Sequence, residues 1–118
     1  VNSASKEEVK AEVTTTTEAA TNLLRQAARV PDESLRRDLQ KKSTRAVDSI
    51  ALAAPKAPAA SIENLERIGL EAKRTGQSNV TVRVLDSLHR IEMSTTDPQV
   101  QRQAQEAARG LRRPIPGP

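Results

Sequence analysis

The sequence predicts an all-α protein of about five antiparallel helices, packed as helical hairpins or as a compact bundle. Three observations carry that prediction. Apolar residues recur at three- and four-residue spacing along almost the whole chain, as on one face of an α-helix. No segment reads convincingly as a strand. Prolines and a glycine divide the 118 residues into pieces of helix length. The length fits one helical domain over residues 1–113, followed by a proline-rich tail, 114–118, expected to be extended.

The first helix is expected to start after Ser5, because Ser5 and Glu8 have capping-box spacing. Val9, Val13, Thr16, Ala20, Leu23, Leu24 and Ala27 then share a side, which carries the helix to about Arg29. The run Thr14 to Thr17 is its weak part, since threonine loses side-chain freedom in a helix, and fraying is expected before Glu18. Pro31 suits the first turn of a second helix, with Asp32 and Glu33 at its positive end. Leu35, Leu39, Ala46, Ile50 and Ala53 form that helix's inward stripe, and Arg37, Lys41 and Arg45 recur on the opposite side. Pro55 and Pro58 make residues 54–60 a semi-extended linker.

Ser61 is expected to cap a third helix whose inner face holds Ile62, Leu65, Ile68, Gly69 and Ala72, with Glu63, Arg67 and Glu71 alternating in sign outside. Gly76 is its stop, and Gln77 and Ser78 make a turn. The stretch Val80 to Val84 alternates like a strand, yet it runs into a helical pattern through Leu85, Leu88 and Ile91 and is assigned to a fourth helix. Asp97-Pro98 is a cap followed by a first-turn proline. Val100, Ala104, Ala107 and Leu111 line the fifth helix, with Arg102, Arg109 and Arg113 pointing the other way.

Composition narrows the function classes. Hydrophobic residues are 36% and aromatic residues 0%, so the core must come from Leu, Ile, Val, Ala and a single Met. With no cysteine and one histidine, His89, there is no disulfide framework, no Cys/His zinc cluster and no cysteine nucleophile. His89 reads as a partly buried packing residue at the edge of an apolar face. No nucleophile elbow, zinc-protease motif, EF-hand or glycine-rich phosphate loop is present. The pairs Glu7/Glu8 and Asp32/Glu33 stand at helix starts, where acidic residues are expected for capping. An enzyme is therefore not expected, and neither a metal nor a cofactor. No apolar stretch approaches the ~20 residues of a membrane helix and no leader pattern is evident, so a soluble protein without a membrane role is expected, compatible with cytoplasm or nucleus. The first residue, Val1, is what a processed product or an excised domain would give.

The net charge is +4 and it is spread out. Lys and Arg number four against four acidic residues in 1–30, six against four in 31–60, five against four in 61–90 and four against three in 91–118. A nucleic-acid domain more often clusters its basic residues and interleaves aromatic ones.

The fifth helix and the one before it also carry a family likeness. Asp97-Pro98-Gln99-Val100, followed by Arg102, Ala104, Glu106, Ala107 and Leu111, resembles the second helix of a HEAT repeat, and Leu85, Leu88 and Ile91 resemble its first. The stretch from Leu23-Leu24 through Pro31 to Leu35 and on to Ala46 and Ile50 is similar. Val100, Arg102, Ala104, Ala107, Ala108 and Leu111, followed by Arg113-Pro114-Ile115, is also similar to the end of the helical N-terminal domain of transcription elongation factor TFIIS and its Spn-type relatives, with Leu111 where that family has tryptophan. Both resemblances imply grooves between packed helices that hold partner proteins or short disordered motifs.

These readings converge on a non-enzymatic interaction or scaffold module that binds a protein or acidic peptide in an inter-helix groove with basic flanks. The candidate partner-binding residues are Arg37, Lys41 and Arg45, within the densest basic run (with Arg36 and Lys42), and Arg109, Arg112 and Arg113 beside the tail. Leu52 and Leu70 lie off the inner stripes and are candidates to border a groove. The alternatives are a transcription-elongation-type docking domain, nonspecific nucleic-acid binding through basic helix faces, and an oligomerisation segment.

Overall fold

Capping chemistry sets where the elements begin. The computed structural model describes residues 5–114, so residues 115–118 of the expected tail lie outside them. The Ser5 hydroxyl accepts from the Glu8 backbone amide at 3.2 Å and opens α1, Lys6–Arg29. It also donates to the Glu8 carboxylate, so the box closes between side chains. Asp32 accepts from the amides of Ser34 and Leu35 and opens α2, Glu33–Leu52. Pro31 therefore precedes the cap and is not in the first turn. The other helices are α3 (Pro58–Arg74), α4 (Ser78–Ser94) and α5 (Pro98–Arg112), the last capped by Asp97 through the Gln99 amide.

Several sequence expectations are corrected. α1 runs unbroken through its threonines, and Thr17, not Thr16, is the fully buried one. On α2, Ser43 and Val47 join Leu39 and Ile50 inside, while Leu35 is 47% exposed. Leu35 lies one turn before Leu39 on the same stripe. The linker is short and folded: Ala53, Ala54, Lys56 and Ala57 donate back to Ile50, Ala51 and Ala53 in successive turns. Pro58 is the first residue of α3, where a missing amide costs nothing. Ser61 accordingly lies within that helix and is buried, with no capping role. His89 is an exposed residue, its side chain 63% accessible and its Nδ1 3.9 Å from Glu92.

The end of α3 is a Schellman motif: the Gln77 amide donates to Ala72 and the Gly76 amide to Lys73, with Gly76 at φ 72°. Gln77 then caps α4 by position and is itself buried. Its amide nitrogen donates to the Leu24 carbonyl at 2.9 Å and to Thr75 Oγ1 at 2.7 Å, and its oxygen accepts from Gln40 at 3.0 Å. One side chain thus ties α1, α2 and the α3–α4 turn.

Within the described residues α3 touches all four other helices, whereas α1 touches only α2 and α3. Leu24, Ile50, Leu65, Ile68 and Leu88 are its largest fully buried neighbours and members in the core, each contributing roughly 1.5–3 kcal/mol by burial. Small residues let the helices close: Ala20, Ala27, Ala72 and Ala104 are all buried. The result is an all-helical bundle with a core free of aromatic rings. Among the described residues no helix is long and apolar enough to cross a membrane.

Candidate functional site: a basic groove between α1, α3 and the end of α5

Arg67, Leu70, Glu71 and Arg74 of α3 are spaced three and four apart and so stack along one side of the helix, Glu71 buried and the other three exposed. α1 packs beside it and brings Thr21, which is buried, and Arg25, which is exposed one turn on. The end of α5 supplies Gly110, Arg113 and Pro114. Together with Lys73 these residues line a groove of about 600 Å³. Five cationic side chains from three elements meet there, against one acidic lining residue.

That residue, Glu71, is the centre of the arrangement. The sequence reading put it outside, but its side chain is only 7% exposed, because α1 covers α3 here and brings a counter-charge. Glu71 Oε1 is held by Arg74, three residues on, and by Arg25 at 3.6 Å from α1. The hydrogen bond from Arg74 holds the Glu71 carboxyl below the usual range; burial opposes this, and the charges of Arg74 and Arg25 reinforce it. Glu71 Oε2 is buried without a hydrogen-bond partner. The guanidiniums remain about half to two-thirds exposed, Arg25 at 50% and Arg74 at 67%, with donors to spare. Leu70, 48% exposed, is the apolar patch between the charges.

A second groove of about 500 Å³ lies between the end of α2, the α2–α3 turn, α4 and the start of α5. Leu52, Pro55, Ile91 and Val100 give it an apolar lining. Its rim charges are matched: Arg83 grips Asp48 through two bonds of 2.8 and 2.6 Å, and Arg90 pairs with Asp86 at 3.2 Å. Arg83 lowers the Asp48 carboxyl pKa chiefly by that hydrogen bond.

The sequence-predicted residues separate. Arg37, Lys41 and Arg45 are exposed on α2, with Arg37 paired to Glu33 at 3.3 Å. Arg36 leaves the basic run altogether: it donates to the carbonyls of Ala27 and Val30 and closes the end of α1. Arg109, Arg112 and Arg113 are exposed at the end of α5, and Arg113 alone of the six candidates lines the basic groove. Since α2 and α5 do not touch, the two predicted sets form no single site. Arg25, Arg67, Lys73 and Arg74 are not singled out as binding residues by the sequence, which gives only Arg67 a local signal, its alternation in sign with Glu63 and Glu71. Leu52 and Leu70 each border a groove, as expected. Among the described residues no three His, Asp or Glu side chains gather to hold a metal ion. Comparison with protein-family models, curated proteins and solved structures finds no match.

Proposed function

We propose that this protein is a non-enzymatic interaction module that docks an acidic protein segment in the groove between α1, α3 and the end of α5. The observation that carries the reading is the convergence of Arg25, Arg67, Lys73, Arg74 and Arg113 around half-exposed Leu70, with a single, already paired carboxylate. Such a surface offers charge complementarity and a place for one apolar contact. Arg109 and Arg112 extend the positive field beside it. The row Arg37, Lys41 and Arg45 is a separate contact that a longer partner would reach.

Nucleic acid is the competing ligand. The chain has no aromatic residue on which bases could stack, which favours a protein partner. The test is titration of labelled acidic peptides against the wild type and an Arg67→Glu/Arg74→Glu variant at two salt concentrations. Affinity for peptide should fall about ten-fold or more in the variant, in line with the cost of losing close interfacial charges. Equal binding by both proteins would overturn the assignment.

A further inference from the structure

Resting on that docking reading, we infer that the groove selects a segment in which one apolar side chain stands midway between two acidic residues four positions apart. The reason lies in how charge is laid out along α3. Arg67 and Arg74 are seven positions apart, about 10 Å along a helix axis, on the same face. Leu70 sits between them and keeps 48% of its surface exposed. The groove is therefore two cationic poles separated by an apolar saddle.

At one pole, Arg74 and Arg25 share Glu71 Oε1, so two guanidiniums from different helices are held side by side with their remaining donors outward. The other pole is Arg67, exposed one turn before Leu70 on the same groove lining. Arg113 joins the same wall from the end of α5.

An extended peptide rises about 3.3 Å per residue and turns alternate side chains to the same face. Acidic side chains four positions apart therefore span about 13 Å on one face, within reach of the two flexible arginine poles, with the residue midway between them facing the same way. The side chain between them then falls on Leu70. A run of acidic residues alone satisfies the poles and leaves Leu70 wet. An apolar residue displaced to one end leaves a pole empty. Both are expected to bind more weakly than the alternating pattern.

Fluorescence anisotropy on the whole chain tests this with three labelled peptides of equal length and charge. One carries acid, apolar and acid residues in alternation, one carries both acids on the same side of the apolar residue, and one has serine in place of the apolar residue. A single-stranded oligonucleotide of matching charge is the fourth probe. The first peptide should bind about ten-fold tighter than the other two. Leu70→Ser, at a half-exposed site, should abolish that preference while leaving the helical circular-dichroism signal intact, and Arg67→Glu should weaken the first peptide most. Equal affinity for all three peptides overturns the spacing inference and leaves the docking reading standing. Binding of the oligonucleotide with no binding of any peptide overturns the docking reading itself.

Discussion

A methyl group on Gly69 would come within 2.7 Å of Leu111 Cδ1 and 2.9 Å of Cδ2: α3 and α5 meet at a point where α3 has no side chain. Val84 Cγ1, 3.2 Å away, closes the same space from α4. Leu111 and Val84 are both buried and have little room to withdraw. Gly69→Ala should therefore destabilise the fold by up to about 2 kcal/mol, overpacking of about 1–3 kcal/mol outweighing the helix-propensity gain of about 1 kcal/mol. Thermal unfolding would register a drop of up to several degrees; a midpoint raised by the full propensity gain would show that the helices do not touch this closely.

Gln77 makes a prediction of a different kind. All of its side-chain hydrogen-bonding groups are engaged, with Leu24, Thr75 and Gln40. Gln77→Ala leaves the Gln40 amide without this acceptor and opens a small void, at a cost of about 2–3 kcal/mol. Asn79→Ala removes only an exposed bond to Gln40 and should stay within about 0.5 kcal/mol. Urea denaturation of the two variants side by side checks the contrast.

The carboxylates set the pH dependence. Glu71 and Asp48 have folded pKa values lowered by Arg74 and Arg83, so each adds stability that is complete above its unfolded pKa and is lost as pH falls through the lower folded value. Stability should hold at neutral pH and decline below about pH 5. Glu71→Gln should flatten that acid decline and cost about 1–2 kcal/mol at pH 7, because Arg25 and Arg74 lose their shared anion. Glu66 runs the other way: burial, then the charge of Glu63, raises its pKa, so its ionised form opposes folding at neutral pH. Glu66→Gln should raise stability at pH 7 by a few tenths of a kcal/mol, a gain that fades in acid. Denaturation series across pH for the three proteins decide the signs.

The α2 row has its own test. Arg37→Ala/Lys41→Ala/Arg45→Ala removes three exposed charges and one helix-surface ion pair. The helical signal should not change. Binding of a partner long enough to leave the groove and cross α2 should weaken; affinity equal to wild type would remove the row from the interface.

What could be read from the sequence divides along a physical line. Local chemistry was legible: the Ser5 and Asp97 caps, the Gly76 stop and the stripe Val100, Ala104, Ala107 and Leu111 depend on neighbours within a turn or two, and they stand where the pattern put them. Pro58 is ambiguous in the sequence because a proline reads equally as the end of one helix or the beginning of another, and the turn folding back on Ile50 and Ala51 makes the choice. Glu71 reads as solvent-facing in the sequence because its companion Arg25 comes from a different helix. The groove itself had no local signature, since its cations are dispersed along the chain and only the packing of α1 and α5 on α3 gathers them.

A core assembled without a single aromatic ring leaves the molecule optically silent in the near ultraviolet, with no indole or phenol anywhere in the chain. One tryptophan at position 70 would be the sole fluorophore, and its emission would report polarity at the groove with no background from the bundle beneath it.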